Sequence, residues 1–199
     1  MDADEFWTVV ESARGSVDQL EDEGGELVAE ALASRLAATS PQAILEFEAQ
    51  FRKAHGALYR WDVWAAAYLI GGGCSDDMFS DFRAGVVALG RQWWQRVLAN
   101  PDELADHPLV RRAAAEEDDD VIFAEPVGYA AAEAYERLTG DDCAFYEAWQ
   151  ASPYAAQEDA GDGEDMGERF DFDDNDEMRR RLPRLAALFA IDLDSEDAP

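Results

Sequence analysis

The sequence predicts an all-α protein: an irregular multi-helix bundle with an acidic loop and a C-terminal helix. Three observations predict it. Apolar residues recur at helical spacing from residue 4 to residue 150 with only short breaks. Cap-and-proline start signals, Ser40-Pro41 and Asn100-Pro101, stand ahead of such stretches. No internal repeat and no hairpin signal interrupts them. Hydrophobic residues make up 48% of the 199 residues, with 6 Trp, 10 Phe and 6 Tyr, so a real core can form and wholesale disorder is excluded.

The elements follow in order. A first helix is expected over 4–14, capped by Asp2 or Asp4, with Phe6, Trp7, Val10 and Ala13 on one face. After Gly24-Gly25 a second runs near 26–38 on Leu27, Val28, Ala31, Leu32 and Arg35. Ser40-Pro41 opens a third, to about Tyr59, with the stripe Ile44, Phe47, Phe51, Ala54 and Leu58. The stretch 61–70 is uncharged from Val63 onward, so it reads as a helix buried on every side, with Asp62 as cap. Three successive alanines argue against a strand there.

Ser75 caps a fifth helix with Asp76 and Asp77 at the positive end of its dipole, and Met78, Phe79, Phe82, Val86 and Leu89 share a face. Gly90 ends or kinks it, and Trp93, Trp94, Val97 and Leu98 continue helically to Asn100. A short helix follows at Pro101. Residues 111–120 turn acidic and read as a loop. Pro126 opens a helix carrying Tyr129, Ala132, Tyr135 and Leu138, closed by Gly140, and 141–150 adds a short one. Residues 176–190 regain helical character, with Pro183 splitting them.

The domain reading is a helical globular domain over 1–154, an acidic linker or loop over 155–175, and a C-terminal helix with an acidic tail over 176–199. From Gln157 to Asp174 hydrophobicity collapses. That stretch is expected to be mobile and to contribute little, because ordering costs roughly 1–2 kcal/mol per residue. The helix after it is expected to dock, since Leu182, Leu185, Leu188 and Phe189 would otherwise be exposed together.

The net charge of −29 is concentrated in 116–120, 157–177 and 192–197. Such charge opposes nucleic-acid phosphates and anionic membranes and favours a basic protein partner, or simply solubility. The acidic N-terminus is wrong for a signal peptide, no apolar run reaches the roughly 20 residues of a membrane span, and Cys74 and Cys143 make no disulfide framework. A cytoplasmic location is the expectation.

No Walker loop, dinucleotide fingerprint, zincin helix or nucleophile elbow occurs, and no cofactor is expected. Gly71-Gly72-Gly73 precedes a helix, but Asp76 and Asp77 would repel a phosphate and the loop has no base. The four His and Cys residues, at 55, 74, 107 and 143, lack metal spacing. An EF-hand begun at Asp171 or at Asp162 fails at required positions, so no metal is expected. His55 lies beside the third helix's stripe without a nucleophile to serve.

The most distinctive stretch is 61–83. Capping explains Asp76 and Asp77, and core packing explains the aromatics, which leaves Asp81 and Arg83 without a local reason. Asp62, Asp76, Asp77, Asp81 and Arg83 are therefore the candidate site residues. The preferred reading is an ion-pair network; a hydrolase or metal-dependent active site is the alternative. Arg83 is expected to hold the carboxylate of Asp62, Asp76 or Asp81.

The same stretch carries a resemblance. Glu5-Phe6-Trp7, Phe47-Glu48, the string W-D-x-W-x-A-A-Y-L-I-x-G-G-C-S-D-D-x-F-x-D-F-R over 61–83, and Tyr129 with Ala132 and Tyr135 resemble a bacterial family of domains of unknown function, the one numbered four-two-four-zero. The likeness spans about residues 4–140. It implies no activity and transfers no catalytic residue. The function expected from the whole is a protein-binding or regulatory, immunity-type module. The alternatives are the enzyme built on the Asp/Arg cluster and a mimic of nucleic-acid charge.

Overall fold

Many of the helices begin at a capping side chain or a proline. The computed structural model describes residues 1–18, 21–116, 121–156 and 166–189. Among the described residues there are helices and no strands. The all-α prediction is correct.

Helix α1 (Ala3–Arg14) starts with a capping box, Asp2 and Glu5 each satisfying the other's backbone N–H, and buries Phe6, Trp7, Val10 and Ala13. Helix α2 spans Glu26–Ala37. Helix α3 (Pro41–Gly56) is capped by Ser40 and ends three residues short of the expected Tyr59. Helix α4 (Trp61–Ile70) follows Arg60, which occupies the cap position assigned to Asp62 from sequence. Asp62 lies in the first turn instead, where its carboxylate accepts from the Val63 N–H at 2.9 Å. Helix α5 (Asp76–Ala88) is capped by Ser75, and α6 (Arg91–Ala99) follows the left-handed Gly90. A 3-10 turn over Pro101–Asp106 is capped by Asn100.

Helix α7 (Pro108–Glu116) falls where an acidic loop was expected. Pro108 starts it, and Val110 and Ala113 supply its buried face before the charge begins. Helix α8 (Glu125–Thr139) closes at left-handed Gly140, and α9 (Ala144–Ala151) buries Phe145 and Trp149. Pro183 divides the last helical stretch into α10 (Asn175–Arg181) and α11 (Pro183–Leu188).

Helix α8 is the hub, packed on α2, α3, α5 and α9. Its closest partner is α2; the buried residues are Val28, Ala29, Leu32, Ala33 and Leu36 on α2 and Val127, Ala130, Ala131, Ala134 and Tyr135 on α8, with alanine prominent on both. Of the large residues placed on these stripes from sequence, Leu32 and Tyr135 are buried, whereas Leu27, Tyr129 and Leu138 are exposed. Close approach of two helices favours alanine at the contact and leaves some of the bulkier side chains outside it, which a count of large apolar residues misreads.

A buried segment, 121–124, leads into α8 and wedges against α5. Ile122 is left-handed (φ 69°), the one non-glycine residue so placed among those described, at a cost of order 1–3 kcal/mol for a β-branched side chain. Ala124 donates to the Asp81 carbonyl at 3.1 Å. The wedge fits because Gly85 faces it: a Cβ there would lie 1.6 Å from the Ile122 carbonyl oxygen.

The C-terminal helices dock through Met178, Leu182, Leu185 and Ala186, all buried. Helix α11 has no cap of its own. The buried carboxylate of Asp102 accepts from the N–H groups of Arg184 (3.0 Å) and Leu185 (2.9 Å), capping it from 82 residues away.

Candidate functional site

Alanine at 65–67 and Val63, Leu69 and Ile70 bury most of α4, but one edge is only half-buried. Trp61, Trp64 and Tyr68, spaced three and four residues apart, form that edge, so the helix is not enclosed on every side by the bundle. The Trp61 and Trp64 rings stack at 5.4 Å and 5°. Trp64 continues onto Phe79 of α5 at 4.7 Å and 11°, and Phe79 onto Tyr59 at 5.9 Å and 28°. The result is a ladder of four stacked rings from two helices and the turn between α3 and α4.

A non-helical strap, residues 166–173, covers the α4 end of this ladder. The Trp61 N–H donates to the Met166 carbonyl at 3.0 Å. The Arg169 guanidinium lies 5.1 Å over the Trp61 ring. Phe172 sits against Tyr68 (5.4 Å), Trp61 (6.0 Å) and Trp64 (6.3 Å). The Tyr68 hydroxyl donates to the Asp173 carboxylate at 2.6 Å, which raises the phenol's pKa. Phe170 packs on Phe172, and Arg181 of α10 lies 4.2 Å over Phe170 while pairing with Glu168 at 2.9 Å.

Residues 166–173 of the acidic stretch thus pack against α4, which the reading of that stretch as a plain linker did not anticipate. Its few aromatics alternate with acids, so one side of an extended chain presents both Phe170 and Phe172. The segment 157–165 lies outside the described residues, as do 117–120 and 190–199.

Arg83 occupies the far end of the ladder, over Tyr59 (4.9 Å) and Phe79 (4.8 Å). It donates to the Phe79 carbonyl at 3.3 Å and, through Nη1, to Nδ1 of His55 at 3.3 Å. The other ring nitrogen of His55 is 3.0 Å from the Ser80 carbonyl, which can only accept. His55 is thereby fixed as the neutral tautomer with its proton on Nε2. Burial, and then the Arg83 charge, push its pKa down to about 4. Burial alone pushes Arg83 down to about 10. Among the described residues no carboxylate pairs with Arg83, contrary to the expected ion pair. Two aromatic faces and an imidazole lone pair take the place of the carboxylate, and deleting the arginine orphans no buried acid.

The other four candidates have separate neighbours. Asp62 pairs with Arg60, which also donates to the Leu98 carbonyl at 2.7 Å. Asp76 and Asp77 are exposed in the first turn of α5. Asp81 is half-buried near the wedge that its carbonyl holds. Sequence proximity placed these five residues together; the structure distributes them over the start of α4 and two sides of α5.

Cys74 is half-buried, and burial pushes its thiol up to about 11, with Asp81 and Asp76 adding to the effect. That is the reverse of an activated nucleophile. Asp141, Asp142 and Cys143 gather potential metal ligands within 4.8 Å, all exposed. Here hydrogen bonding to Asp142 raises the thiol pKa, so nothing pre-forms a thiolate. An open groove between α1 and α6 is lined by Asp4, Trp7, Glu11, Arg91 and Gln95, and contains none of the five candidates. Arg91 spans it to Asp4 at 2.6 Å.

The aromatic edge of α4 and its strap were missed from sequence as a unit. The signal was present in two parts: the three-and-four spacing of Trp61, Trp64 and Tyr68, and the two-residue spacing of Phe170 and Phe172. No helix among the described residues is long and apolar enough to cross a membrane. No curated protein and no solved structure matches the chain. One family does, over residues 1–137, about two thirds of the chain and including the whole aromatic ladder. The chain belongs to the family described as protein of unknown function, DUF4240.

Proposed function

We propose that this chain is a regulatory protein-binding module, of the kind an immunity protein exemplifies, acting on a basic protein partner in the cytoplasm. One observation carries the reading: the chain spends its arginines on itself. Arg60, Arg96, Arg137, Arg181 and Arg184 each pair with carboxylates of their own chain. The excess carboxylates, Asp76, Asp77, Asp141 and Asp142 among them, face water uncompensated. A surface with a net charge of −29 behind it attracts cations and steers a basic protein toward encounter. The free Cys74 and Cys143 suit a reducing compartment.

An enzyme built on Asp62, Asp76, Asp77, Asp81 and Arg83 would need those groups to converge on one reacting atom, and their neighbours in the fold differ. Purification of the tagged chain from the cells that make it tests the binding reading. It is done at about 0.1 M salt, where the screening length is about 10 Å, and at about 1 M, where it is about 3 Å. The expected result is a stoichiometric basic partner held at low salt and lost at high salt. A neutral or acidic partner, or one held equally at both, defeats the reading.

A further inference from the structure

The aromatic ladder lies wholly within the family-matched residues, and the strap that covers it lies wholly outside them. The strap's contacts define what the face accepts. Position by position, Arg169 places a cation over Trp61, Phe172 fills the space between Trp61, Trp64 and Tyr68, and Asp173 accepts from the Tyr68 hydroxyl. Met166 adds a backbone carbonyl for the Trp61 N–H, which is otherwise an orphan donor at the start of α4.

In charge, the strap is a poor occupant. Glu168, Asp171 and Asp173 accompany the single Arg169, on a chain already at −29. Of its charged side chains, the one stacked on the ladder is the cation. Asp173 serves as a hydrogen-bond acceptor, a role that a neutral amide oxygen can also fill, through a weaker bond. Asp171 turns back to its own chain, accepting from the Asp173 N–H at 3.0 Å.

We propose that the Trp61–Trp64–Tyr68 face is a docking site for a linear segment of a basic partner, and that residues 166–173 occupy it in cis until such a segment displaces them. The segment has the pattern arginine, aromatic, any residue, aromatic, hydrogen-bond acceptor, in extended form. It keeps the cation–π contact, the ring insertion and the tyrosine hydrogen bond while removing the strap's acidic repulsion. The basic character of the partner rests on the function proposed above; the docking face rests on the geometry alone.

The experiment uses the full chain with Phe172→Ala, which weakens the cover, beside the unaltered chain. Two peptides are titrated with tryptophan emission and calorimetry as readouts. GERFDFDD is the strap's own 167–174 sequence, and GKRFNFNK is its basic counterpart. An intramolecular cover competes at an effective concentration of order millimolar, so weakening it raises the affinity for an added peptide by about ten-fold or more. GKRFNFNK is expected to bind the variant that much tighter than the unaltered chain, and tighter than GERFDFDD does. Its version with the second phenylalanine replaced, GKRFNANK, is expected not to bind.

If the folded variant binds neither peptide, the docking face is overturned while a basic partner bound elsewhere survives. If both peptides bind equally, the face stands and the basic choice falls. Equal binding of GKRFNANK reduces the effect to bulk charge and overturns the proposal. Loss of the variant's helical circular dichroism makes the strap a fixed part of the core and overturns it as well.

Discussion

Residues 1–137 and residues 166–189 are both attached to one core, but they are held in different ways. The first region buries continuous helical faces: Phe6, Phe47, Phe79, Phe82, Leu32 and Ile44 are almost wholly enclosed. The second has only a few such anchors, Met178, Leu182 and Leu185, and supplements them with borrowed interactions. Asp102 caps its last helix, Arg184 reaches Glu103 at 3.4 Å, and the strap leans on rings that belong to α4. A region with long apolar faces makes its own stability. A short, acidic one is ordered where another part of the chain supplies what it lacks. The same contrast governs exchangeability, since removing an anchor buried on all sides opens a cavity and lifting the strap uncovers a surface.

The largest effect is expected at the wedge. Gly85→Ala drives a methyl into the Ile122 carbonyl, and either α5 or the 121–124 segment must shift. A loss of about 3 kcal/mol or more is expected in denaturant unfolding. A near-neutral result would mean that the close approach does not hold the matched region together.

Leu182→Ala probes the other side of the comparison. The residue is 1% exposed, and its truncation should cost about 3 kcal/mol of global stability if the C-terminal helices unfold with the core. Hydrogen exchange that changes only in 166–189, with the core unmoved, would show instead that the two regions open separately.

Acid separates them further. Both histidines, His55 and His107, lie in the matched region, and burial holds each near a pKa of about 4. A folded pKa below the unfolded value means that stability is full above about 6.5 and is lost as pH falls from there toward 4. The loss is on the order of 2 kcal/mol per histidine. In the other region Arg180 and Arg181 hold Glu177 down to about 2, so its contribution is present above the ordinary carboxylate range and is lost as pH falls toward 2. Unfolding free energy measured from pH 7 to pH 4 should fall, and the fall should flatten in the His55→Gln/His107→Gln pair. An unchanged slope in that pair would remove the histidines from the account.

The borrowed cap is a smaller term. Asp102→Ala leaves the Arg184 and Leu185 N–H groups without their acceptor and should cost about 1–2 kcal/mol, with increased exchange confined to α11 and its neighbours. Tyr68→Phe is the mildest test. It removes only the hydrogen bond to Asp173, an exposed one, and should cost about 0.5–1 kcal/mol while loosening the strap more than the core. Equal loosening of both would erase the distinction drawn between them.

The sequence by itself determined most of the helices and of their starts, α7 excepted. Capping and periodicity act within a few residues, so Ser40-Pro41, Ser75 and Gly140 carry their meaning wherever the helix ends up, while only the structure selects Asp2 over Asp4 at α1. Membership in the family was likewise legible in the string from Trp61 to Arg83. Tertiary structure decided which of the large residues on α2 and α8 face inward: Leu32, Leu36 and Tyr135 are buried beside the alanines, whereas Leu27, Tyr129 and Leu138 are exposed. It also decided what each candidate residue touches. Arg83 has acids as its neighbours in sequence but finds His55, Tyr59 and Phe79 in space, since a helix surface meets whatever packs across it. The strap is the clearest case: Phe172 lies 104 residues beyond Tyr68, and no local rule relates them. Their contact exists because the fold leaves one aromatic edge of α4 uncovered and brings the chain back past it.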